Sequence, residues 1–98
     1  MLTSEASVAT VNASLYLKKL CKHFQHKVEA QWDDHQGIAH FPMGIGTFAA
    51  TADRLTMRCQ AETQEALEKV QWIIDDHLIR FARKENLVPQ WRGLVAGQ

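Results

Sequence analysis

The chain has 98 residues, of which 46% are apolar and 22% are charged, and its formal net charge is zero. This composition is typical of a soluble globular protein, and the length indicates one domain over residues 1–98. A neutral chain has no overall field that would attract it to nucleic acid or to an anionic membrane. No apolar run approaches the roughly 20 residues that a membrane span needs.

The first helix is predicted by an apolar stripe that follows a short strand at residues 5–9. Thr10 or Asn12 is expected to cap this helix, because a side-chain oxygen can accept hydrogen bonds from the free amides of the first turn. The spacing of the stripe is typical of an amphipathic helix, and its members are Ala13, Leu17, Leu20, Cys21 and Phe24.

Four strands are predicted between the two helices, because apolar and polar residues alternate there. A turn at residues 34–37 separates the first two strands, and Gly37 is expected to supply its positive φ. The alternation is clearest in the last strand, where Leu55, Met57 and Cys59 share a face. The strands are predicted at residues 28–33, 38–41, 45–51 and 54–61.

The second helix is predicted to begin after Thr63, which can cap it, and to end near Asn86. A short extended tail follows at residues 87–91, where Pro89 favours the edge of a sheet. The apolar stripe of this helix consists of Leu67, Val70, Ile74, Leu78 and Phe81.

The predicted order of elements is therefore β-α-β-β-β-β-α. A further edge strand at the C-terminal end is an alternative that the sequence does not decide. Strands and helices that are apolar on one side fit two layers. We expect an α+β two-layer sandwich, in which an antiparallel sheet carries both helices on one face.

The chain is expected to be cytoplasmic. Its first ten residues, MLTSEASVAT, contain neither a basic segment nor an apolar segment of the kind found in secretory signals. Cys21 and Cys59 are too few for a disulfide framework, so reduced thiols are expected.

The segment LCKHFQHK, residues 20–27, gathers one thiol and two imidazoles. On a helix, Cys21 diverges from His23 by about 160° and from His26 by about 140°. Ligands of a zinc ion must converge at roughly 2.0–2.3 Å, so Cys21 cannot share a metal with either histidine. It is expected to be a small buried apolar residue.

Basic residues occupy the outward face of the same helix. They form either a solvated charged surface or a local anion site. These residues are Lys18, Lys19, Lys22 and His26.

His77 lies inside the second apolar stripe, so it is expected to be largely buried and to need a hydrogen-bond partner. It is either a satisfied core histidine or a functional residue. If the two helices pack side by side, His23, His77 and Arg80 line a shared polar cleft that binds a metal ion or a small anion. His26 would be the third metal ligand, beside His23 and His77.

Trp72 projects away from the apolar centre of its helix and is expected to be exposed. Aromatic residues concentrate at the centres of protein interfaces. We therefore expect a homodimer with Trp72 in or near the contact.

Two motifs, YLKKLCKHFQHK and DHLIRFARKE, resemble a family of small bacterial proteins catalogued as domain of unknown function 2218. The resemblance extends from Ala9 to Trp91. The family pattern falls here on Tyr16, Leu17, Leu20, Cys21, His23, His26, Lys27, His77, Leu78, Arg80, Phe81 and Ala82. Relatives often carry Trp at Phe24, and an aromatic residue followed by Arg at Arg83 and Lys84.

The resemblance implies an α+β domain and an association of some members with siderophore-interacting flavoproteins. It gives no catalytic residues to carry over, and the cofactor is unknown. The leading hypothesis is a non-enzymatic cytoplasmic binding or accessory protein for iron or siderophore metabolism, with a small anion or an iron chelate as ligand. One alternative is a small metal-dependent protein or enzyme that uses His23, His77 and Arg80. Another is a structural oligomerisation domain working through Trp72.

Overall fold

A computed structural model describes residues 1–94 and shows one antiparallel sheet of six strands with two helices. The predicted α+β class and the predicted order of elements are confirmed, and an edge strand is added at the C-terminal end. The elements are β1 Leu2–Ala9, α1 Ala13–Phe24, β2 Glu29–Trp32, β3 Gln36–Phe41, β4 Gly44–Ala50, β5 Arg54–Ala61, α2 Gln64–Phe81, a 3₁₀ turn Arg83–Glu85 and β6 Arg92–Leu94.

The strands lie in the order β2-β3-β4-β5-β1-β6, so the first strand of the chain is inserted between β5 and the last strand. In β5, Leu55 and Met57 are buried while Arg54 and Arg58 are exposed. This alternation follows from the pleat of a strand, which directs successive side chains to opposite faces. One face of the sheet is therefore covered, and the other is open.

Both helices pack on the same face of the sheet. Gly37 of β3 lies against α1, and Gly46 of β4 lies against α2. Gly37 pairs with Phe48, which is two residues from Gly46 on β4, so both glycines point to one side. Within residues 1–94, neither helix is long and apolar enough to cross a membrane.

The core is formed by the two predicted helical stripes and the inward face of the sheet. Burying a leucine or isoleucine of this kind contributes about 1.5–3 kcal/mol. Among the largest fully buried side chains are Leu17, Leu20 and Cys21 of α1, Leu55, Met57 and Cys59 of β5, and Val70, Ile74 and Leu78 of α2.

The caps of the two helices differ. The prediction for Thr63 is confirmed, since its Oγ1 accepts a hydrogen bond from the amide of Ala66 at 3.1 Å. Asn12 occupies the cap position of α1, but its side chain accepts no hydrogen bond there. Its amide instead donates to Glu85 at 3.0 Å, because the chain returns to this point after α2.

Four predicted positions need correction. β1 begins at Leu2, earlier than residue 5, and the edge strand lies at residues 92–94, after the predicted 87–91. α2 ends at Phe81, and Asn86 ends the following 3₁₀ turn in a left-handed conformation with a φ of 52°. Gly37 lies within β3 and not in a positive-φ turn, because it is needed where α1 approaches the sheet.

The carboxylate of Glu85 fastens the end of the chain to the start of α1. It accepts hydrogen bonds from Thr10 Oγ1 at 2.7 Å, from the Asn12 amide and from the Tyr16 hydroxyl. The hydrogen bonds from Thr10, Tyr16 and Asn12, in that order of effect, lower the pKa of Glu85 below its ordinary value of 4.5. They also make the ionised carboxylate the form that the fold prefers.

Replacing Glu85 with glutamine should lower the stability of the protein at pH 7, since the amide group cannot accept from three donors. When folding lowers the pKa of a carboxyl group, the ionised group stabilises the fold at pH values above its unfolded-state pKa. This stabilisation is lost as the pH falls through the folded-state pKa. The stability gap between wild type and Glu85→Gln should therefore shrink as pH falls below 4.5. Urea unfolding of both proteins at several pH values measures this gap, and a constant gap would contradict the prediction.

Candidate functional site

The structure brings His23 and His77 together where α1 and α2 pack side by side. The centroids of the two imidazole rings are 4.4 Å apart, and the rings are tilted by 45°. His23 lies near the end of α1 and is exposed, while His77 lies in the last turns of α2 and is half-buried. We refer to His23 and His77 as the histidine pair.

Aromatic rings form the floor of the histidine pair. The ring of Phe24 meets His77 edge-on, with centroids 5.2 Å apart, and it also meets Phe41 at 5.1 Å. The ring of Phe81 lies 5.9 Å from that of His23. One side of the pair is therefore apolar and excludes water, which weakens the hydration of any charge placed there.

His77 is held in one tautomer. Its Nδ1 lies 2.7 Å from the backbone carbonyl oxygen of Ile73, one helical turn earlier. A carbonyl oxygen can only accept, so Nδ1 carries the proton and donates. In the neutral ring Nε2 then carries the lone pair, and a backbone carbonyl commonly orients metal-binding histidines in this way.

The environment favours the neutral form of His23. Partial loss of hydration has the largest effect in lowering its pKa below 6.5, although the side chain is exposed, and the charges of His77, His26, Lys27 and Arg80 follow. A positive charge on His23 is unfavourable beside these groups. His23 therefore offers a neutral imidazole, which is the form that binds metal ions.

His26 lies on the other side of His23, with ring centroids 6.3 Å apart. Within residues 1–94, the structure contains no group of three or more His, Cys, Asp or Glu side chains placed to hold a metal ion. The arrangement therefore offers two imidazoles from the chain, and a metal ion would need its other ligands from elsewhere.

Arg80 borders the histidine pair and forms an ion pair with Asp76 one turn earlier, at 3.3 Å. The side chain of Arg80 is 66% exposed, and exposed pairs of this kind add little stability. The guanidinium can therefore turn to another anion at small cost.

The lysine face of α1 is partly neutralised. Lys18 forms an ion pair with Asp34 at 3.2 Å, while Lys19 and Lys22 are exposed. This arrangement is typical of a solvated charged surface.

The two thiols take no part in the site. Cys21 and Cys59 are fully buried, and burial raises the pKa of each to about 12. Thiolates are the reactive form of cysteine, so neither residue is a nucleophile at neutral pH.

Among the residues that the structure describes, two cavities lie away from the histidine pair, and the sequence pattern does not predict them. One, of about 670 Å³, lies on the open face of the sheet beside the Arg58–Glu5 ion pair. The other, of about 410 Å³, lies between α2 and the start of β1, where Gln71 donates to the buried hydroxyl of Ser4. Both cavities depend on the pairing of β1 with strands that are distant in the chain. The alternation of apolar and polar residues does not reveal this pairing.

Comparison with known proteins indicates a family but no activity. The sequence pattern of domain of unknown function 2218, described as an uncharacterised protein conserved in bacteria, matches residues 5–92. Among solved structures, the NMR structure of PA4090 from Pseudomonas aeruginosa is similar, with a TM-score of 0.81 and 30% sequence identity. The similarity covers 94% of this chain and 96% of that one. No curated protein matches.

Proposed function

Since this chain belongs to a bacterial family without a known activity, domain of unknown function 2218, we propose a function from its own side chains. The protein is a non-enzymatic cytoplasmic binding protein, and its histidine pair holds the metal ion of an anionic chelate. An iron chelate of the kind that carries iron in siderophore metabolism is the ligand class that we propose.

The separation of the two rings supports this function most directly. The ring centroids of the two imidazoles lie 4.4 Å apart, and the hydrogen bond from His77 to Ile73 leaves Nε2 of His77 as the lone-pair nitrogen. Imidazole suits zinc, copper, iron and nickel. A core histidine that only satisfied its hydrogen bonds would not need a second imidazole beside it.

Two donors leave most of the coordination sphere of a transition metal open. A chelate supplies the remaining oxygen or nitrogen ligands itself, so a protein needs to add only one or two. Arg80 and Lys27 lie close enough to His23 to lower its pKa, and their positive charges favour an anionic ligand. The imidazoles thus bind the metal, and Arg80 and Lys27 attract the negative charge of the chelate.

The first test measures thermal stability and calorimetric binding with Zn²⁺, Ni²⁺, ferric citrate, and citrate alone. A probe at 100 times its dissociation constant should stabilise the wild-type protein by about 2.7 kcal/mol. Binding of a metal should weaken as pH falls through the lowered pKa of His23, because a protonated ring has no lone pair.

His77→Asn is the sharpest variant. Its amide can replace Nδ1 as donor to Ile73, while nothing replaces Nε2. We expect this variant to fold and to lose at least tenfold in affinity, as should His23→Gln. His40→Gln is the matched control, since His40 is exposed on β3 away from the pair.

If none of the probes stabilises the wild-type protein, the histidine pair is a structural feature and the proposal is wrong. If citrate alone binds as well as ferric citrate, the site recognises an anion and no metal. In that case Arg80→Gln should reduce binding more than His77→Asn does.

A further inference from the structure

The outward face of α2 carries an apolar pair. The side chains of Trp72 and Ile79 are 67% and 50% exposed. They are seven residues apart, which places them two turns apart on the same side of the helix. Tryptophan is among the residues that most often dominate interfaces, so its exposure here is unusual.

Acidic residues lie at the start of this face and basic residues at its end. Glu65 and Glu68 lie in the first two turns, Arg80 lies in the last turn, and Arg83 lies in the 3₁₀ turn after it. Two further charges, Lys69 and Asp76, pair with Glu65 and Arg80 on the same helix. Glu65 interacts with Lys69 at 3.8 Å, but both side chains are largely exposed, at 84% and 64%. Such a pair is weak and can exchange partners.

We propose that α2 packs against α2 of a second copy of this chain, antiparallel across a two-fold axis that crosses the outward face of α2 at the level of position 74. This register places Glu65 opposite the partner's Arg83, since the two lie nine residues to either side of position 74. Trp72 then lies two residues from the axis, so it faces the partner's Asp76 and is offset from the partner's Trp72 by about 6 Å along the helix. Apart from Arg80, the interface uses no residue of the proposed ligand site.

A second copy fits this face because the face is complementary to itself. A two-fold axis brings the same patch of both subunits together in opposite directions. The acidic start of α2 therefore meets the basic end of the other α2, and the apolar centre meets itself. A parallel arrangement would place like charges together along the whole contact.

The dimer should be weak and reversible. α2 has 18 residues and is about 27 Å long. One helix face of this length buries less than the roughly 1,200 Å² at which stable interfaces begin. We therefore expect a dissociation constant of the order of micromolar or higher.

Sedimentation velocity from about 1 µM to about 1 mM tests the dimer. The wild-type protein should pass from monomer to dimer within this range, and Trp72→Ala should raise the dissociation constant at least tenfold. Val11→Ala is the matched control, because Val11 is an apolar residue that is 81% exposed outside this face. A wild-type protein that stays monomeric throughout overturns the proposal, as does a dimer that Trp72→Ala leaves unchanged.

A charge exchange tests the antiparallel register. Arg83→Glu should weaken the dimer, because it places two carboxylates opposite each other, and adding Glu65→Arg should restore it. Circular dichroism confirms that each variant remains folded. If the double variant associates no better than Arg83→Glu alone, the proposed register is wrong.

Discussion

Replacing Phe24 with alanine should lower the free energy of unfolding by about 3–5 kcal/mol, the usual range for removing a buried phenylalanine. The side chain of Phe24 is only 4% exposed. It contacts Phe41 and Phe48 of the sheet and meets the ring of His77. Removing it leaves a cavity between α1 and the sheet that neighbouring rings can fill only in part.

Urea unfolding followed by circular dichroism measures this loss as a lower midpoint with an unchanged slope. Phe24→Leu retains much of the volume and should lose less stability. Val88→Ala, at a position 69% exposed, should change stability by less than about 0.5 kcal/mol. A loss below about 1 kcal/mol for Phe24→Ala would show that this ring does not support the core.

Phe24 also supports the histidine pair. With alanine in its place, water reaches the inner side of His77, and the burial that lowers the pKa of His23 is reduced. The pKa of His23 in Phe24→Ala, followed by NMR titration, should therefore lie closer to 6.5 than in the wild-type protein. This links the stability of the core directly to the chemistry of the site.

The helices and strands could be predicted from the sequence because their geometry sets the spacing of apolar residues. The stripe from Ala13 to Phe24 and the alternation from Leu55 to Ala61 each identify one element and its buried face. The same periodicity predicted that His77 is largely buried, whereas the structure shows it half-buried at the edge of the core.

Contacts between distant parts of the chain could not be predicted in this way. Periodicity shows which way His23 and His77 leave their helices, but only the packing of α1 on α2 brings their rings to 4.4 Å. The partner of Asn12 is Glu85, which lies 73 residues away in the chain, so local cap rules assign Asn12 the wrong role. The hydrogen bond from His77 to Ile73 is local, but it depends on a rotamer that the sequence does not specify.

Gly37 shows the same distinction between local and distant causes, and it provides the second large effect. A glycine after Asp34-His35-Gln36 suggests a turn, yet the residue lies in β3 beneath α1. A Cβ atom there would lie 2.6 Å from Cys21 Sγ and 3.3 Å from Trp32 Cβ. Both neighbours are packed within the structure, so one of them must shift.

Gly37→Ala should therefore lower the free energy of unfolding by about 1–3 kcal/mol, the usual cost of overpacking a core. The matched control is Gly93→Ala on β6, where a Cβ would meet no atom within 4 Å. This control should be neutral, or more stable by about 0.4–1 kcal/mol, because alanine restricts the unfolded chain. Denaturant unfolding of both variants gives the comparison.

Cys21→Ala removes the sulfur atom that the new methyl group would contact most closely. Adding Gly37→Ala to Cys21→Ala should therefore destabilise the protein less than adding it to the wild-type chain. A coupling of about 0.5–3 kcal/mol is expected for residues in direct contact. If the two changes prove additive, the close approach of α1 is not what requires glycine at this position. If they couple as expected, Gly37 is present because a helix lies above it, and any larger residue at position 37 would need a smaller one at position 21.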